Sequence, residues 1–223
     1  MCVRKLLILL FVAFSVSCDF KTASDYLNEA EKLSDKGLYE EANKLLDKAI
    51  EKDKGFLGAY INRGVNKSAM GDFEGAIADY KIVLDSDPDN MLALLNSGND
   101  YKRLEDYQQA IVIYDRALGT RGDGPLYLSF DRDNMFGLGE FDVPDCQIRF
   151  ERAIAYYYTA NLKQAYRDFS LCIDDNYLVG ECYYWIGYIY VSTGNLKLAC
   201  ENFNKSKQFG DEDAQRVLDE YCK

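Results

Sequence analysis

The feature that most constrains this chain is a pattern that returns every 34 residues. GDFEGAIADYKIVLDSDPDN at 71–90 is followed by EDYQQAIVIYDRALGTRGDG at 105–124. An earlier copy is GLYEEANKLLDKAIEKDKGF at 37–56, and later ones are ANLKQAYRDFSLCIDDNY at 160–177 and GNLKLACENFNKSKQFGD at 194–211. Each copy carries an alanine: Ala42, Ala76, Ala110, Ala165 and Ala199. Four residues later stands a large apolar side chain (Leu46, Tyr80, Tyr114, Phe169, Phe203), and seven later a short one (Ala49, Val83, Ala117, Cys172, Ser206). Twelve residues earlier stands Ala30, Gly64, Gly98, Ala153 or Gly187. Offsets of four and seven share one face of a helix. Units of this length repeat because each buries its apolar face against the next, which makes the architecture a linear stack.

The pattern resembles the tetratricopeptide repeat (TPR). That resemblance implies an all-α fold: a right-handed solenoid of about five helix pairs, with small residues where helices cross and large ones filling between them. The frames are 23–56, 57–90, 91–124, 146–179 and 180–213. Gly37, Gly71 and Gly194 fall between the two helices of their repeats, where a left-handed turn residue costs least. Asp87-Pro88 fits a helix end. The fourth frame departs from the pattern at Arg149, where a large apolar residue is expected. Residues 214–223, AQRVLDEYCK, read as a capping helix that closes the last apolar face. Thr22 and Asp25 form a capping box for the first helix.

The alanine spacing is 34, 34, 55 and 34, so 21 extra residues interrupt the third interval. They are 125–145, PLYLSFDRDNMFGLGEFDVPD, and they alternate like a hairpin between repeats three and four. An insertion this long serves as surface cover, as a contact for a partner, or as a cation site on Asp131, Asp133, Glu140, Asp142 and Asp145. Its acidic residues do not follow the ligand spacing of an EF-hand, and no metal is assigned.

Residues 1–17 read as an export signal: Arg4 and Lys5, an apolar run from Leu6 to Val16, then small residues. Ser15-Val16-Ser17-Cys18 resembles a bacterial lipoprotein cleavage box, with Ser15 where leucine is usual. The resemblance implies lipidation of Cys18, a short tether over 18–22 and a membrane-anchored place in the bacterial cell envelope. The chain carries 26 basic and 37 acidic residues, a net −11, which becomes −13 without Arg4 and Lys5. Such a chain does not neutralise phosphates, so nucleic acid is excluded as the expected partner. The sequence has no histidine, which removes the commonest general base and metal ligand. No nucleophile–base pair, phosphate loop or cofactor motif is present.

The expected function is therefore a non-catalytic scaffold that holds a protein or peptide. In TPR proteins the first helices of the repeats line the concave face. On that resemblance the groove residues are Leu27, Glu31, Ile61, Val65, Ser68, Leu95, Asn99, Lys102, Arg103, Phe150, Ile154, Tyr157, Tyr158, Tyr184 and Tyr188. Asn28, Asn62 and Asn96 recur at one equivalent position. The aromatic residues of the C-terminal half suit binding hot spots. Leu27, Glu31 and Leu92 stand where the family's basic clamp for chaperone tails needs polar or basic residues. Glycan capture on the tyrosines is the alternative binding reading.

Helices joined by a turn bring together residues equidistant from its centre. Cys200 and Cys222 are centred on residue 211, Cys172 and Cys182 on 177, and Cys146 and Cys172 on 159. Disulfides Cys200–Cys222 and Cys172–Cys182 are expected, the second because in the family the place held by Cys172 faces the next repeat. Cys146–Cys172 competes with it, and free buried thiols are the remaining alternative.

Overall fold

The computed structural model describes residues 20–119 and 144–222. Eleven α-helices run along them: α1 (Ala23–Ser34), α2 (Tyr39–Lys52), α3 (Leu57–Ala69), α4 (Phe73–Ser86), α5 (Met91–Arg103), α6 (Tyr107–Gly119), α7 (Asp145–Tyr158), α8 (Leu162–Asp174), α9 (Val179–Ser192), α10 (Leu196–Gln208) and α11 (Ala214–Tyr221). No strand occurs among the described residues. The expected signal, Cys18 and nearly all of the expected hairpin (125–143 of 125–145) lie outside them. No helix among the described residues is long and apolar enough to cross a membrane.

Each helix packs on the next in sequence, from α1 to α11. The odd helices also touch their next odd neighbours: α1 with α3, α3 with α5, α5 with α7 and α7 with α9. The even helices make no comparable contacts among the described residues. A stack whose one layer is in mutual contact and whose other is not curves toward the first, so the odd helices form the concave layer. The fold is an all-α TPR solenoid closed by a C-terminal helix.

Local chemistry starts and stops these helices. Thr22 and Asp25 make both bonds of a capping box on α1. Asp72, Asn90 and Asn195 accept from the third backbone N–H of α4, α5 and α10 at 3.0–3.2 Å. Within repeats, Gly37, Gly71 and Gly194 take φ of +74°, +85° and +77°. Glu105 and Ala160 occupy the equivalent turns at φ +61° and +59°. The next residue closes the same long bond in each case, as in Leu38 N–H to Leu33 O, 3.0 Å, and Asn161 N–H to Tyr156 O, 2.8 Å.

The core is a row of apolar clusters, one per repeat. Ala42, Ala76, Ala110, Ala165 and Ala199 are all fully buried. The large residue four places on is buried too, and its shape sets what lies opposite. A Cβ added to Gly64 would stand 2.5 Å from the Tyr80 ring; at Gly98 it would stand 2.4 Å from Tyr114, and at Gly187 2.3 Å from Phe203. The ring occupies the volume a side chain would need. Where the partner is Leu46 the opposite residue is Ala30. Phe169 lies opposite Ala153, and its ring runs parallel to Trp185, 6.2 Å away.

Cys200 and Cys222 are disulfide-bonded with Cα atoms 5.7 Å apart, tying α10 to the end of α11. Cys172 and Cys182 are not bonded to each other; with Cys146 they are free thiols. Cys172 instead donates to the Cys146 carbonyl at 3.2 Å and Cys182 to the Tyr177 carbonyl at 3.5 Å. Both are fully buried small fillers between α8 and α9.

Two substitutions test this account. Gly98→Ala destabilises by about 1–3 kcal/mol, because a fully buried ring must move. Ala160→Gly stabilises by about 0.5–1 kcal/mol, because relief of the left-handed alanine exceeds the entropy added to the unfolded chain. Urea denaturation at fixed pH measures both.

Candidate functional site

The concave layer divides into a polar N-terminal half and an aromatic C-terminal half. In the polar half, α3 and α5 enclose a small pocket of about 210 Å³ whose lining includes Val65, Ser68, Asn96, Asn99, Asp100 and Arg103. Ser68 donates to Asp100 Oδ1 at 2.6 Å, and Arg103 donates to Ser68 Oγ at 2.6 Å. Tyr114 donates to Asn99 Oδ1 at 2.7 Å. Asn62 donates to Glu31 across α3 and α1 at 3.0 Å. Lys102 is paired with Glu151, joining α5 to α7.

In the aromatic half, rings form one continuous array from α6 to α11. Tyr107 and Tyr158 stack at 4.6 Å, with an interplanar angle of 11°. Tyr157 meets Tyr158 edge-on at 5.6 Å and Trp185 at 5.3 Å. Trp185 leads to Tyr184 at 6.3 Å, Tyr184 to Tyr188 at 5.0 Å, and Tyr188 to Tyr221 at 6.2 Å. Each such pair adds about 0.5–1.5 kcal/mol beyond area burial. Arg216 of α11 donates to the Tyr184 hydroxyl at 2.9 Å. Burial, then the Tyr188 hydroxyl bond, pushes the Tyr184 phenol up, so it stays neutral.

The expected groove residues separate accordingly. Tyr157, Tyr158, Tyr184 and Tyr188 come together in the array, and Tyr158 is 53% exposed. Val65, Asn99 and Arg103 share the polar pocket, and Ile154 is half-buried. Phe150 is 8% exposed but lines the cleft beside Tyr184 and Trp185, whereas Ile61 and Leu95 are corrected to core at 4% and 6% exposed. Their helices pack so closely that this flank faces the neighbouring repeat. Leu27 is buried for the same reason. Tyr107, Trp185, Tyr221 and Arg216 belong to the array and were absent from the expected set. Trp185, next to Tyr184 and three residues before Tyr188, was the available signal; Tyr107 and Tyr221 lie on helices that concave-face logic leaves out.

Two arginines staple the stack behind these faces. Arg63 of α3 reaches Asp79 of α4 (2.6 and 2.9 Å) and Asp47 of α2 (2.6 Å). Arg152 of α7 reaches Asp168 of α8 (2.7 and 2.9 Å) and Asp115 of α6 (2.6 Å). Each fork holds three successive helices in register. Arg149 pairs with Asp145 at 2.9 Å and Asp175 at 3.5 Å, which accounts for a charge at an apolar place.

Asp100 differs from these satisfied acids. Its side chain is 1% exposed, and Oδ2 is buried without a hydrogen-bond partner. Desolvation raises its pKa above 3.8, against the opposing bonds from Ser68 and Arg103. The folded state therefore holds a proton that the unfolded chain releases, and this contribution is lost as pH rises from 3.8 through the raised value. Relative to Asp100→Asn, the native protein should lose thermal stability across that window. Melts of both proteins between pH 4 and 7 check it; a constant difference overturns the assignment.

Family models described as tetratricopeptide repeat match residues 61–125 and 180–208. A curated FK506-binding protein-like protein of Mus musculus is 48% identical over 44 residues, which are 20% of this chain and 13% of that protein's length. Among solved structures, MamA (residues 41 to the end) from Desulfovibrio magneticus RS-1 superposes with a TM-score of 0.69 at 17% identity, covering 88% of this chain and 97% of MamA. YrrB, described as a TPR protein with an unusual peptide-binding site, gives 0.68 at 20%, covering 88% and 92%. PilW, described as a type IV pilus biogenesis factor, gives 0.65 at 14%, covering 83% and 76%. At these identities the structural likeness establishes the fold. Residues 61–125 and 180–208, on both sides of the interruption, are thus tetratricopeptide repeats, and the chain shares the tetratricopeptide repeat solenoid fold along almost its whole described length.

Proposed function

We propose that this protein is a non-catalytic scaffold that holds an extended peptide or protein segment on its concave face, anchored through lipid on Cys18 at a bacterial envelope membrane. The observation that carries the binding reading is the array of Tyr107, Tyr157, Tyr158, Trp185, Tyr184 and Tyr188, preorganised by ring contacts and open at Tyr158. Rings already held by their neighbours lose little entropy on binding. YrrB, a similar structure described by its peptide-binding site, supports the same reading. A glycan needs open ring faces, whereas Tyr107 covers one face of Tyr158. The anchor rests on the sequence at 15–18.

Tyr158→Ala should weaken capture of the partner from solubilised envelope at least tenfold, as expected for an aromatic hot spot. Its thermal midpoint should fall by several degrees as the ring contacts with Tyr107, Tyr157 and Trp185 are lost, while circular dichroism at the binding temperature shows the helical fold retained. Unchanged capture by this variant would overturn the groove. Separately, Cys18→Ser should leave the membrane fraction or stay unprocessed; unchanged fractionation and processing would overturn the anchor.

A further inference from the structure

A second cleft opens at the C-terminal end of the aromatic array, with a volume of about 540 Å³. Tyr184 and Trp185 of α9 form part of one wall. Its rim is acidic: Glu181 from the first turn of α9, and Asp211, Glu212 and Asp213 from the turn that leads into α11. Gly180 is why these acids meet. A Cβ there would stand 3.3 Å from both the Phe209 carbonyl and the Asp211 Cβ, so the glycine lets the turn close down on α9. No basic residue lines the cleft. Arg216 lies nearby, with Nε 3.9 Å from Asp213 and its guanidinium on the Tyr184 hydroxyl, and it offsets Asp213. Glu181, Asp211 and Glu212 make no ion pair among the described residues; the Asp211 carboxylate accepts only from the Asp213 N–H, at 2.9 Å.

Several acids elsewhere in the molecule already have a cation. Asp79 has Arg63 and Lys67, Asp168 has Arg152, and Glu151 has Lys102. This rim has three carboxylates without one, beside an indole and a phenol. Carboxylates and ring faces together favour a cation with an apolar stem, and its charge is held both by the acids and by the ring quadrupoles. The cleft and the array share Tyr184 and Trp185, so a segment lying along Tyr158 and Tyr157 would carry a side chain into it.

We propose that this cleft is a specificity subsite for a basic side chain, lysine or arginine, of the bound segment. The inference rests on the peptide-groove reading and adds that the partner is basic where it crosses α9. Charge complementarity with an acidic chain also raises the encounter rate, which makes binding sensitive to salt.

Trp185 is the chain's single tryptophan, so its fluorescence reports the site directly. The probes are blocked peptides of alternating alanine and lysine, and the same peptides with lysine replaced by glutamine. At low ionic strength the lysine peptide should perturb Trp185 emission with at least about tenfold tighter affinity than the glutamine peptide, the scale of a partly desolvated cation–π contact plus charge pairing. The preference should disappear in Glu181→Gln/Glu212→Gln, two surface changes whose fold is checked by circular dichroism, and should shrink at about 0.5 M salt. Equal affinity for the two peptides, a preference that survives the double variant, or no response to the lysine peptide overturns the subsite. The groove reading is judged separately by the Tyr158→Ala variant, so glutamine and lysine peptides that bind alike, both dependent on Tyr158, remove only the cation subsite.

Discussion

The stack depends on the fit of a large ring into the gap left by a missing side chain. Tyr80 over Gly64, Tyr114 over Gly98 and Phe203 over Gly187 approach to distances that no Cβ tolerates. Because ring and glycine lie 16 residues apart, one contact fixes the crossing of two helices within a repeat. The remaining freedom lies between repeats, where Arg63 and Arg152 act. Each reaches forward to an aspartate of its own repeat and back to one of the repeat before. The carboxylates of Asp79 and Asp168 are almost wholly buried. Removing one partner would strand a charge, at a cost of about 3–5 kcal/mol. These pairs set register, and the apolar clusters supply the cohesion.

With crossings and register fixed from behind, the concave side is free to vary. The polar half uses it for hydrogen bonds among Ser68, Asp100, Arg103 and Asn99, which partly satisfy one another. The aromatic half places rings against rings and leaves an edge of Tyr158 in solvent. In a linear array each repeat is stabilised mainly by its neighbours, so the ends open first. Both described ends are secured. Thr22 and Asp25 cap α1, and the Cys200–Cys222 bond holds α11, which carries Tyr221 and Arg216 against the array.

The spacing of alanines and large residues made the helices and their pairing legible, because small and large positions must alternate wherever two helices cross. The paired arginines were legible in principle: Arg63 and Asp79 stand 16 apart, as do Arg152 and Asp168. In a sequence, however, charge at a helix crossing reads as solvated surface. The groove was legible only in part. Ile61, Leu95 and Phe150 share a helix face with Val65, Asn99 and Ile154. Whether a given turn of that face meets solvent or the next repeat depends on how tightly odd helices approach, which sequence periodicity does not encode. Tyr107 escaped because it starts a second helix and reaches the array only by stacking on Tyr158. The thiols show the same limit. Cys172 and Cys182 lie level about a turn, but they remain thiols, and each sulfur donates to a backbone carbonyl, Cys172 to Cys146 of α7 and Cys182 to Tyr177.

The interruption after α6 follows from the same mechanics. Elsewhere a few residues join consecutive repeats, such as Asp53–Phe56 between α2 and α3. Here 120–144 separate α6 from α7, yet the two helices pack directly and α5 touches α7. Lengthening a connection between ends already close costs only a few RT, about 2 kcal/mol for a sixfold increase. Ile148 of α7 is fully buried in the same cluster as Leu94 and Tyr114, and Arg152–Asp115 and Lys102–Glu151 bridge the joint. Buried leucine-sized side chains alone contribute about 1.5–3 kcal/mol each. The joint therefore outweighs the added loop entropy, and the solenoid accepts the insertion without losing its line.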